Sequence, residues 1–307
     1  MSKVGMFLGL ALFALTGSAR AQNEAAPQFT PNTSPRALDT NGNPIAVPTA
    51  AAALVTAGAY PDEYALRPLT LAAGTFQATV PVVLNLSKNE VLKPLWVPLD
   101  LRFGVNDQLE IFLGHNVHGT PLAFGRGGVC LGGKDRGCTK SNGESTLYNN
   151  LNVGAQFSFM KNASIELSGF GALELREISP DLLAAINVGV GFKYVVAPVS
   201  IKAVPMIGIG ITKRSANGNK EYLSVPVQAA FQATPQLAAF LDTGIFAPTS
   251  HFGDNYVVPI GIGASFLIQH GLDVGAEFML PLFVTGVSGN NAFDSRNLMV
   301  FAAYRTN

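Results

Sequence analysis

At 307 residues the chain is long enough for one large domain or two ordinary ones, and its balance of 48% hydrophobic against 13% charged residues suits a membrane protein better than a soluble enzyme. Twenty Lys and Arg offset twenty Asp and Glu with no long like-charge run, which removes nucleic acid from the expected partners.

Taken in chain order, the long uncharged apolar run is 4–16. It follows Lys3 and leads into Ala19-Arg20-Ala21, a small-x-small pattern. This is the layout of a secretory signal peptide, so 1–21 is expected to be removed near Ala21, leaving a mature start near Gln22. A signal-anchor helix is the weaker reading, because a span needs ~20 apolar residues. A secreted chain this apolar must place its apolar surface elsewhere. In a bilayer every backbone polar group has to be paired within the protein, which leaves a closed β-barrel as the spanning structure.

Residues 22–74 are rich in Ala, Pro, Asn and Thr and show neither helical nor strand periodicity. They read as a flexible periplasmic segment. The competing reading is a short helix over 48–60 or a plug lying inside a lumen.

From 75 onward alternating segments recur. The longest unbroken example is "ASIELSGFGALELREIS", in which Ile165, Leu167, Gly169, Gly171, Leu173 and Leu175 share one parity and Glu166, Ser168, Phe170, Ala172 and Glu174 the other. Successive strand side chains point to opposite faces, so this is one apolar and one mostly polar face, over about twice the usual ~5–6 residues. Twelve such segments are expected: 75–87, 95–104, 108–116, 146–159, 163–175, 182–194, 199–211, 222–232, 237–247, 256–267, 271–282 and 297–305. Their number is even, as in bacterial single-chain barrels.

The links alternate in kind. Tight ones at 105–108, 160–162, 196–199, 233–236 and 268–271 carry Asn, Asp, Pro or Gly, and long polar ones lie between. Short turns on one side and long loops on the other are the pattern of an outer-membrane barrel. The six strands that run toward the tight turns each put an outward aromatic near that end: Phe103, Phe157 with Phe159, Phe192 with Tyr194, Phe231, Phe266 and Tyr304. Aromatics gather at membrane interfaces, so these are expected to form a periplasmic girdle.

The opposite parity supplies the lumen: Asp100, Arg102, Glu110, Glu166, Glu174, Lys193, Lys202, Asp242, Asp273, Glu277 and Arg305. Ionisable groups inside a membrane span face a watery cavity or one another. They either line a solute path or cross-link a closed interior. Inward glycines at Gly189, Gly191, Gly208, Gly210, Gly261 and Gly263 either widen the bore or permit curvature. Cys130 and Cys138, eight apart in the longest loop, read as a disulfide in an oxidising compartment. Without histidines in the same loop they fall short of the four ligands of a zinc site.

The signal peptide, the twelve segments, the unequal loops and the terminal "NLMVFAAYRTN" resemble porin-like outer-membrane β-barrel proteins of Gram-negative bacteria. The likeness covers 75–307, although three residues follow Tyr304 where such barrels end on an aromatic. It implies an all-β, transmembrane, antiparallel up-and-down barrel of about twelve strands in the bacterial outer membrane. Lipid and lipopolysaccharide would surround it, and small solutes would pass through it if open. The expected role is a passive channel without cofactor or metal; the alternative is a closed-lumen structural or surface-recognition barrel. Outer-membrane lipid hydrolases need a serine activated by a histidine. His115, His118, His251 and His270 offer no convincing partner, the adjacent Ser250 and His251 included.

Overall fold

The computed structural model describes residues 60–87, 91–116, 118–119, 121, 123, 127–131, 138, 148–178, 182–214, 219–250, 252–287 and 291–306. The expected signal peptide and residues 22–59 lie outside them.

Twelve antiparallel crossings close into a barrel. The first is β1 (Phe76–Asn85), and the second is made of β2 (Leu95–Val97) and β3 (Asp100–Gly104). β4 (Leu109–Gly114) follows, and then a small hairpin in the long loop, β5 (Gly128–Leu131) with β6 (Tyr148–Asn149). The fourth to sixth crossings are β7 (Leu151–Lys161), β8 (Ile165–Glu177) and β9 (Leu183–Val196). The seventh is β10 (Val199–Ala203) with β11 (Met206–Gly210). The last five are β12 (Tyr222–Gln232), β13 (Leu237–Pro248), β14 (Val257–Gln269), β15 (Leu272–Thr285) and β16 (Asn297–Arg305). β16 pairs β1 from Gln77↔Arg305 to Asn85↔Asn297, so no edge is left open.

Two expected strands are interrupted. Pro98 separates β2 from β3, and Pro205 separates β10 from β11, because proline has no N–H for the ladder. The carbonyl of Pro205 still accepts the Val190 N–H, so only the donor is lost at this position. In β7 a register shift between Ser158 and Met160 adds one residue, so the neighbours Phe159 and Met160 are both exposed and the strand runs on to Lys161.

Three tight turns share one device. A side-chain oxygen of the turn residue accepts the N–H groups two and three residues on: Asn106 from Gln108 and Leu109, Asn162 from Ser164 and Ile165, Thr234 from Gln236 and Leu237. These are the Asx- and ST-turns that make such residues turn formers.

The polarity of the barrel is inverted. Along β9, Val190 is 52% exposed while Asn187 is fully buried, and the same inversion holds in β8, where Leu173 is exposed and Glu174 buried. The thirteen residues of β8, at ~3.3 Å each and tilted ~45°, cover about 30 Å, the thickness of a hydrocarbon core.

The interior is packed by a repeated cross-strand pair. Phe112 faces Gly154, Phe170 faces Gly189, Tyr222 faces Gly208, Phe240 faces Gly263, and Phe301 faces Gly275. At each of these glycines a Cβ would collide with the ring opposite. Gly191, Gly210 and Gly261 are covered in the same way by Ser168, Asn219 and Glu277. The inward glycines therefore do not widen the bore: neighbouring side chains lie in the space they leave.

Gly263→Ala is expected to destabilise the barrel by about 1–3 kcal/mol, since the Phe240 ring is held by stacking on Tyr64 at 5.4 Å and cannot withdraw. Combined with Phe240→Ala, the same methyl should cost less, the remaining conflict being the Ala276 carbonyl oxygen 2.7 Å from its position. Urea unfolding of the two single variants and the double variant measures this coupling.

Candidate functional site

Residues 60–74 are not a flexible extension. They run inside the barrel at the tight-turn end, where inward polar side chains satisfy a backbone that has no strand of its own. Glu166 accepts the Leu69 N–H at 2.7 Å and Glu110 the Leu71 N–H at 2.9 Å, while Gln232 takes the Ala65 N–H at 3.0 Å. Lys193 donates to the Arg67 carbonyl. Arg67 reaches Asp273 at 2.8 Å, and Asp273 also holds Arg305 at 2.5 Å. A short 3₁₀ turn, Tyr64–Leu66, tucks Ala65 out of solvent, and Gly74 then joins the wall by donating to the Gly104 carbonyl.

Sequence reading offers a plug only as the competing account of this stretch, because its partners are scattered over six strands and it carries no periodicity. The one available signal was the gathering of inward charges of both signs, Glu110, Glu166, Lys193, Asp273 and Arg305, near the tight-turn end. Tyr60, close to Arg305, is half-buried, and loss of solvent around its hydroxyl pushes it up to about 12. Outside the strands, Asp62 bonds His270 Nδ1 at 2.6 Å. Burial works to raise the Asp62 carboxyl, but the hydrogen bond and charge of His270, the Gly271 N–H and the Arg305 charge hold it below its ordinary 3.8.

At the loop end the residues after β4 turn inward. His118 stacks on Phe112 at 4.1 Å, lies 4.8 Å from Phe170, and meets Gln156 Oε1 through Nε2 at 2.6 Å. Burial, with the Arg102 and Lys202 charges, lowers its imidazole to about 3 against the opposing pull of Gln156. The ring is therefore neutral, and Nε2 donates. Further on, Ala123 accepts a hydrogen bond from Asn297 at 2.8 Å and packs with Val83, Trp96, Met279 and Met299 beside the Cys130–Cys138 disulfide. His118, Gly119 and Pro121 of this loop line a chamber of about 230 Å³ together with Lys202, Gln228, Asp242, Glu277 and Gln156 among others.

Of the ionisable residues assigned to the lumen, Glu110, Glu166, Glu174, Lys193, Asp242, Asp273, Glu277 and Arg305 are buried, and Asp100, Arg102 and Lys202 are partly so. They divide into three groups. Glu110, Glu166, Lys193, Asp273 and Arg305 surround segment 60–74. Glu174 stands nearer the loops, bonded to Arg176 at 3.1 Å and Asn187 at 3.2 Å. The remainder face the chamber, with Arg102 paired to Asp100 at 3.1 Å and to Glu110 at 3.5 Å. Phe103, Phe157, Phe159, Phe192, Tyr194, Phe231, Phe266 and Tyr304 all lie exposed on the outer face toward the tight turns. The ring nitrogens of His115 contact Leu99 and Tyr148.

This geometry belongs to a known class. The NanC porin shares the fold over 74% of this chain and 98% of its own, at 7% identity and a TM-score of 0.53. The KdgM porin in complex with disordered oligogalacturonate matches 75% of this chain and 99% of its own, at 9% identity and a TM-score of 0.50. An outer membrane channel from Pseudomonas putida F1 aligns at 10% identity over 77% of this chain and 97% of its own, with a TM-score of 0.49. No protein-family model matches the sequence, and no curated protein matches it significantly. The chain is an all-β, closed, twelve-crossing barrel with the fold of outer-membrane porins.

Two outcomes follow from the segment's attachments. Replacing both Glu110 and Glu166 with Ala leaves the Leu69 and Leu71 N–H groups without acceptors, at ~1–3 kcal/mol each. Amide exchange across 60–74 should rise at least tenfold while that of β8 and β9 is unchanged, as read by mass spectrometry. Because the folded Asp62 carboxyl sits below its unfolded value, its contribution is present above about pH 4 and is lost as pH falls through the depressed value. The melting-temperature gap between the native chain and Asp62→Asn should close over that acid range.

Proposed function

We propose that this protein is a bacterial outer-membrane channel for small polar solutes, with its own residues 60–74 standing in the bore. The observation that carries the reading is a lipid-compatible outer face around a polar, partly open interior, obstructed by a segment bonded through its backbone and not through strand pairing. A polar lumen is what solute passage requires, and plugged barrels are an established variant of the architecture.

On this reading the exposed aromatics Phe103 to Tyr304 sit at the periplasmic interface and membrane lipid surrounds the apolar band. The disulfide-bearing loop faces the outside, among lipopolysaccharide. Residues 1–21 direct export, and 22–59 belong to the periplasm. The NanC and KdgM likenesses support a channel-like barrel; at 7% and 9% identity they do not carry a solute over.

Single-channel conductance in planar bilayers tests this directly. Deleting everything before Gly74 should raise conductance severalfold over the intact chain, and the Glu110→Ala, Glu166→Ala variant should raise it in part. Silence in all three, with folding confirmed by circular dichroism, would favour the closed structural or recognition barrel.

A further inference from the structure

Two inward charges in the chamber differ from the rest. The other chamber and plug charges have named partners in the wall or in segment 60–74. Glu277 is 2% exposed, its Oε1 has no hydrogen-bond partner, and among the described residues its carboxylate enters no ion pair. Lys202 likewise makes no hydrogen bond or ion pair with any described residue. Both line the same cavity.

Cross-strand register sets their spacing. Lys202 pairs with Gln228, Gln228 with Asp242, and Asp242 with Gly261. The Glu277 carboxylate lies over Gly261, which brings it beside Asp242. Gln228 Nε2 donates to both oxygens of Asp242 at 3.1 Å, so this glutamine separates the acidic pair from Lys202. One arc of wall therefore presents an ammonium, an amide and two adjacent carboxylates. Neighbouring strands lie ~4.8 Å apart, so the unlike charges stand about two strands from each other.

We infer that the chamber binds a small zwitterion of the free amino-acid class, with its ammonium between Glu277 and Asp242 and its carboxylate on Lys202. Two like charges side by side in a poorly solvated site repel, and a cation between them relieves that cost. Tyr64 and Phe240, stacked at 5.4 Å with Phe301 packed against them, add aromatic faces suited to an ammonium. A chamber of about 230 Å³ has room for one small amino acid. The inference rests on the channel reading only for how the ligand reaches the chamber.

Isothermal titration of the full chain in detergent micelles, with L-alanine, acetate and methylammonium as separate probes, tests it. L-Alanine should bind saturably and at least tenfold tighter than either single-charge probe. Glu277→Gln, which keeps the side-chain shape, and Lys202→Met should each weaken L-alanine at least tenfold, while Lys202→Met leaves methylammonium unchanged. Equal binding of acetate and L-alanine, an unaltered affinity in Glu277→Gln, or no binding of L-alanine would overturn the inference. Conductance without L-alanine binding removes this site and keeps the channel; L-alanine binding by a chain that does not conduct supports the site and removes the channel.

Discussion

Everything in this structure depends on pairing the backbone without help from solvent. A strand facing lipid cannot leave an N–H or C=O unmatched, and the nine-residue pairing of β16 with β1 removes the last open edge. Once the sheet is closed, the side chains must follow: one parity meets hydrocarbon and the other meets the bore. The exposed valines of β9 and its buried Asn187 and Lys193 are consequences of that closure.

The interior is then solved by matching, in two ways. Cross-strand aromatic and glycine partners fill the space near the wall, ring over bare backbone, five times around the barrel. Charged side chains near the tight turns are matched by a segment that has hydrogen-bonding groups to spare because it forms no strand. An acid such as Glu166 satisfies an N–H that would otherwise be buried without a partner, and the N–H satisfies the acid. The same logic sets apart Glu277 and Lys202, which among the described residues have no directly bonded partner of opposite charge.

Much of the fold was legible because the period-2 pattern in a barrel is strict: a one-residue slip would turn Glu166 and Glu174 into the lipid. The crossings and the tight turns could be read for that reason, and the Cys130–Cys138 pairing from two cysteines close together in one loop of an exported chain. Pro98 and Pro205 break the ladder while Pro81 and Pro226 sit inside continuous strands, so the letter alone does not mark an interruption. Segment 60–74 was not legible. Its order comes from contacts to Glu110, Glu166, Lys193, Gln232 and Asp273, 36 or more positions further along the chain, and no local pattern encodes them. The glycine and aromatic pairs were hidden similarly, since each half reads as an ordinary strand residue until register is known.

The most direct test of the central claim is relaxation of single nitroxide labels placed along β8 in lipid vesicles, at Leu167, Gly169 and Leu173 on one parity and Glu166, Ser168 and Ala172 on the other. Lipid-soluble oxygen should relax the first set strongly and the second weakly, alternating residue by residue. Equal accessibility of both parities to a water-soluble relaxant, with no alternation, would contradict a membrane-spanning barrel whose apolar face is its outer one.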